Sequence, residues 1–136
     1  MNILRTLVIG LALVLVAPAC SNDQAGPTKQ PTPGTATVAL VTPNADDGAV
    51  LLRLTGPGLS NPQPNQAYLL YSRIVNSNEL RVIVVSDLGA TALITLHVDD
   101  RNRVSEYAGT VVDAASRSDQ SRSSLAGYAV KIAATP

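Results

Sequence analysis

Ala49-Val50-Leu51-Leu52-Arg53-Leu54-Thr55, closed by Gly56-Pro57-Gly58, decides the fold. Val50, Leu52 and Leu54 fall on one side of an extended chain, and Arg53 and Thr55 on the other. That is the period-2 signature of a strand with one buried face. Gly-Pro-Gly then stops the run. Upstream, residues 36–41 form a short apolar run closed by Thr42-Pro43-Asn44, and Asp46-Asp47-Gly48 reads as a turn before the next strand. Downstream, residues 67–75 set Tyr68, Leu70 and Ile74 against Leu69, Tyr71 and Val75. Residues 80–86 set Val82 and Val84 against Ile83 and Val85, and residues 92–98 align Ala92, Ile94, Leu96 and Val98. The pattern continues through residues 105–114, with Tyr107, Gly109 and Val111, and ends at Tyr128, Val130 and Ile132.

These runs predict seven strands separated by turn residues, the layout of an all-β, antiparallel sandwich. Asn61-Pro62-Gln63-Pro64-Asn65 is expected to be a loop, because proline cannot donate to a central ladder. Residues 114–126 hold alanines and serines with few side chains able to bury a face, and are expected to be a loop with one helical turn. Proline and glycine between the strands oppose the crossover helices of a parallel sheet. The domain is placed at residues 36–136. Its core is expected to be aliphatic, since the chain has four Tyr and no Phe or Trp.

Composition excludes several function classes. With 136 residues, the chain supports one domain. Ten Lys+Arg balance ten Asp+Glu, without the basic excess of a nucleic-acid binder. One Cys cannot form an internal disulfide or a cysteine-built zinc or iron–sulfur site, and one His removes multi-histidine metal sites.

Residues 1–19 read as an export signal. Arg5 supplies a basic start, Leu7, Val8, Ile9, Leu11, Leu13, Val14, Leu15 and Val16 make an apolar run, and Ala17-Pro18-Ala19 ends it with small residues. A spanning helix needs about 20 apolar residues, and Pro18 closes this run sooner. Val16-Ala17-Pro18-Ala19-Cys20-Ser21 resembles the lipobox of bacterial lipoproteins. That resemblance implies a diacylglycerol on the Cys20 thiol, cleavage before Cys20 and acylation, commonly with palmitate, of the new amine. Ala17-Pro18-Ala19 also fits an ordinary signal-peptidase site, which would leave Cys20 free on a secreted chain. Residues 20–35 then form an expected flexible linker, rich in Pro, Gly and polar residues. In the polyproline-like regime residues 21–35 would hold a domain up to about 45 Å from a membrane.

Candidate chemistry downstream is sparse. His97 shares a strand face with Thr95 and Asp99, and no serine lies in the Gly-x-Ser-x-Gly or Ser-x-x-Lys patterns of an activated nucleophile. It reads as a solvated strand residue. Asp99-Asp100-Arg101-Asn102-Arg103 offers oxygens to a calcium ion, but two arginines repel one and the spacing of a calcium loop is missing. A charged hairpin turn fits better. Tyr68, Tyr71, Tyr107 and Tyr128 are the only aromatics, and burial is the expectation for residues within strands. Tyr68 and Tyr71 lie on opposite faces, so one at most is free to stack on a sugar. Eight of the ten basic residues are arginine, which favours bidentate pairing with carboxylates and cross-strand partners among Arg53, Arg73 and Arg81.

The domain resembles cohesins and other immunoglobulin-like bacterial surface modules. The resemblance rests on Val50–Gly58, the 80–85 strand and Gly89-Ala90-Thr91-Ala92-Leu93-Ile94-Thr95-Leu96. It implies attachment or protein–protein contact without catalysis, and carries over no binding residue. The resulting expectation is a lipid-anchored lipoprotein of the cell envelope, in the cell membrane or outer membrane. Its partners are the membrane, through lipid on Cys20, and an envelope protein or polysaccharide, with no nucleic acid. No catalytic, cofactor-binding or metal-binding residue is assigned. The alternative is a secreted carbohydrate-binding or small hydrolase-like domain.

Overall fold

The structure is a computed structural model that describes residues 29–136. The expected signal, Cys20 and the first part of the linker lie outside the described residues.

Eight strands form two antiparallel four-stranded sheets. β1 (Gly34–Val41), β3 (Ser60–Pro64), β6 (Ala92–Val98) and β8 (Ala129–Ala134) make one, in the order β3-β6-β1-β8. β2 (Asp47–Thr55), β4 (Leu69–Asn76), β5 (Glu79–Leu88) and β7 (Ala108–Ser116) make the other, in the order β4-β5-β2-β7. The expected all-β sandwich is therefore present, with eight strands in place of seven. The additional strand is β3, which the prolines at 62 and 64 had marked as loop. It lies at the edge of its sheet and pairs only with β6, with an irregular register between Ser60 and Gln63. An edge position is where a strand tolerates residues with no N–H to donate.

The alternation read from the sequence sets the core. Val50, Leu52 and Leu54 of β2, with Val82 and Val84 of the adjacent β5, pack against Val38 and Leu40 of β1 and Leu96 and Val98 of β6 from the opposite sheet in one aliphatic layer, all buried. Each such side chain contributes about 1.5–3 kcal/mol when fully buried. Leu93 and Ile94 are consecutive yet both buried, because the β1–β6 register shifts between Val38 and Ala39 and turns Leu93 inward.

The two flanks of the sandwich differ. On one, β7 and β8 lie against each other, and Gly109 permits the approach: a Cβ there would sit 2.4 Å from a methyl of Val130. On the other flank are the edge strands β3 and β4.

Two turns also differ from expectation. Asp99–Arg103 is not a hairpin, because β6 and β7 belong to different sheets; a 3-10 turn, Arg101–Glu106, carries the chain between them. The region 114–126 holds no helix; β7 runs on to Ser116, and Ala115 bridges to Ser121.

Candidate functional site

Asp47 was expected in a turn. It is instead the first residue of β2, wholly buried. Its carboxylate accepts from Thr42 Oγ1 at 2.5 Å, Tyr128 Oη at 2.7 Å and Arg122 Nε at 2.9 Å. Arg122 also reaches Asp46 at 2.5 Å, and Asn44 Nδ2 donates to Tyr128 Oη at 2.8 Å. Burial pushes the Asp47 carboxyl up, but the hydrogen bonds from Thr42, Tyr128 and Arg122 outweigh it and hold it below its ordinary value. Arg122 is held above its ordinary value, first by Asp46 and then by Asp47. Among the described residues no buried side-chain nitrogen or oxygen lacks a hydrogen-bond partner, and the cluster ties the segment before β8 to the start of β2.

The Asp99–Arg103 turn is occupied in the same way. Asp100 Oδ1 accepts from the backbone N–H of Asn102 at 3.0 Å, capping the 3-10 turn, and from that of Thr32 at 3.1 Å. Asn102 Nδ2 donates to Thr32 Oγ1 at 3.0 Å. The Thr32 N–H bond is the foremost reason that the Asp100 carboxyl lies below its ordinary value. The turn's oxygens thus fasten the chain ahead of β1. Among the described residues, no three His, Cys, Asp or Glu gather as a cation site.

His97 is on the outward face of β6, half-exposed, with Nε2 3.8 Å from Asp99 Oδ1. That separation is too long for a direct hydrogen bond. Ser60 stands opposite His97 in the β3–β6 register.

The tyrosines divide. Tyr107 is buried and donates to the Pro57 carbonyl at 3.0 Å, Tyr128 serves Asp47, and Tyr68 is packed against the core. Tyr71 is 61% exposed.

Tyr71 belongs to the outer face of the β4-β5-β2-β7 sheet, where the register assembles three rows. Leu69, Val85 and Ala49 form the first. Tyr71, Ile83 and Leu51 form the second, and Arg73, Arg81 and Arg53 the third. Tyr71, Ser72, Arg73, Arg81, Leu51 and Ile83 line a shallow hollow of about 230 Å³. A second, of about 210 Å³, continues from Leu51 and Ile83 to Ala49, Asp113 and Ala115. Leu69 and Ile83, at 60% and 40% exposure, make the surface apolar as well as open.

Like charges directly opposite one another weaken a sheet. The arginine row is relieved at one end by Glu79, which accepts from Arg53 Nη2 at 2.9 Å and Arg81 Nε at 3.0 Å. Those two hydrogen bonds, Arg53 first, hold the Glu79 carboxyl below its ordinary value. Arg73 has no carboxylate partner among the described residues. Carboxylate pairing was expected among Arg53, Arg73 and Arg81, and among the described residues only Arg53 and Arg81 have it. Glu79 was not legible in the sequence, because its role depends on the β2–β5 register.

Comparison with protein-family models, with curated proteins and with solved structures found no match. The class that the fold defines is an antiparallel, two-sheet β-sandwich.

Proposed function

We propose that this protein is a lipid-anchored binding module of the bacterial envelope, attached through acylated Cys20 and acting without catalysis. The signal and lipobox-like residues 1–21 support the anchor. The outer face of β4-β5-β2-β7 is the contact surface, and the observation that carries this is the alignment of Tyr71, Ile83 and Leu51 beside Arg73, Arg81 and Arg53. An exposed apolar surface beside an arginine with no carboxylate partner among the described residues suits a protein partner that offers apolar side chains and a carboxylate. A polysaccharide is the second reading, favoured by the open ring of Tyr71.

Both readings are tested by passing solubilised envelope over the immobilised mature chain and over its Ile83→Ser, Arg73→Ala and Tyr71→Ala variants. Protein retained by the wild type and lost from both Ile83→Ser and Arg73→Ala supports the first reading. Glycan retained by the wild type and lost only on Tyr71→Ala supports the second. Equal retention by all forms contradicts the assignment of this face.

A further inference from the structure

The sandwich guards three of its four edge strands and leaves the fourth open. β7 and β8 cover each other, and β3 carries Pro62 and Pro64, which have no N–H to offer a new strand. β4 contains no proline, and its Leu70–Ile74 segment pairs with β5 in continuous register, so its other side presents unpaired backbone groups. It is also apolar on both faces. Leu69 and Tyr71 are exposed on the outer face, and Ile74 on the inner face is 62% exposed, although its cross-strand neighbour Leu80 is buried. A hollow of about 460 Å³ lies beside Ile74, bounded by Leu59, Ser60, Asn76 and Asp99. β3 of the opposite sheet approaches this flank, but among the described residues no strand pairs with the free edge of β4.

We propose that β4 pairs antiparallel with β4 of a second copy, about a two-fold axis at Ser72, to make one continuous eight-stranded sheet. The proposal goes beyond the binding function above and does not depend on it. Its basis is that Leu69-Leu70-Tyr71-Ser72-Arg73-Ile74-Val75 is complementary to its own reverse. About that axis Leu70 faces the second copy's Ile74, Tyr71 faces its Arg73, and Ser72 faces Ser72.

The register keeps each residue on its own side of the sheet. Leu70 and Ile74 cover each other on the inner face, where Ile74 is bare in the single copy. Tyr71 and Arg73 meet on the outer face, where a guanidinium over a phenol ring gives a cation–π contact. No like charges oppose across the new ladder. Moving the register by two residues would place Arg73 opposite Arg73 or Tyr71 opposite Tyr71, losing both Tyr71–Arg73 pairs. An isologous contact of this kind closes on itself and leaves no further edge to propagate.

The test is cysteine cross-linking of the full exported chain in an oxidising compartment. Directly opposed residues of an antiparallel pair have Cα atoms about 4.5–5.5 Å apart, within the range a disulfide spans. Ser72→Cys is expected to give a disulfide-linked dimer whose linking peptide joins position 72 to position 72. Leu70→Cys and Ile74→Cys are expected to link when the two variants are co-expressed, and not when either is expressed alone. Thr110→Cys, on exposed β7, reports random collision, and the wild type reports any link through Cys20. Ile74→Lys, an exposed substitution, is expected to abolish the Ser72→Cys link without unfolding the domain, which circular dichroism verifies. The proposal is overturned by no link at position 72 above the Thr110→Cys background. It is equally overturned by a link that survives Ile74→Lys, or by one to a different protein.

Discussion

Asp47 and Arg122 stand 75 residues apart in sequence and meet at 2.7 Å, the carboxylate wholly buried and the guanidinium largely so. Neither β2 nor the segment before β8 could hold its position as well alone, because Arg122 also pairs with Asp46 and Tyr128 also donates to Asp47. The pair is costly to break from one side, since a buried charge deprived of its partner keeps its desolvation penalty. Arg122→Met is therefore expected to lower the urea midpoint clearly, because it leaves the buried Asp47 carboxylate without its cation. Asp47→Leu combined with Arg122→Met is expected to cost less than the sum of the two single changes. Urea unfolding of the three variants checks both statements, and strict additivity would count against the coupling.

The same carboxylate fixes the sign of the pH dependence. Its folded-state value lies below the ordinary 3.8, so the unfolded chain binds the proton more readily. The stabilisation is complete above the ordinary value and is lost as pH falls through the folded one. Glu79 and Asp100 are shifted in the same direction and add to the slope. The urea midpoint is expected to be level between about pH 5 and 7 and to fall below about pH 4. In Asp47→Asn the fall should be shallower. A midpoint that rises on acidification would refute the assignment.

Gly56 has φ +146°, and a Cβ there would lie 2.2 Å from the Tyr107 ring. Gly56→Ala thus combines backbone strain with an overlap that only displacement of a buried tyrosine can relieve, and is expected to cost more than about 2 kcal/mol. Tyr107→Phe removes only the hydrogen bond to the Pro57 carbonyl, and its expected cost is about 1 kcal/mol. Thermal melts that rank Tyr107→Phe as the more damaging change would contradict this packing.

The outer face of β4-β5-β2-β7 is expected to separate stability from binding. Tyr71→Ala with Arg73→Ala alters two exposed side chains, so the unfolding free energy should stay within about 0.5 kcal/mol of wild type. Retention of envelope material should nevertheless disappear. A variant that unfolds, or one that binds unchanged, removes the reason to treat this surface as functional.

What the sequence made legible was whatever local alternation controls. Val50, Leu52 and Leu54 faced inward as their spacing required, and so did Val82 and Val84. β3 was hidden because Pro62 and Pro64 obey the rule for central strands, and only the sheet order reveals an edge. Asp47 was hidden for a related reason. Asp-Gly signals a turn on local grounds, whereas its burial depends on Arg122 and Tyr128, partners far along the chain. The row of Arg53, Arg73 and Arg81 lay between: strand faces suggested it, and the register assembled it.

Whether lipid on Cys20 holds this module in the envelope is read from the intact mass of the N-terminal peptide. Membrane and soluble fractions of a bacterial host expressing the chain would both be analysed. The expected peptide begins at Cys20, carries diacylglycerol and an amide-linked acyl group, and is found in the membrane fraction. An unmodified Cys20 on protein recovered from the soluble fraction or the medium would contradict the lipid anchor.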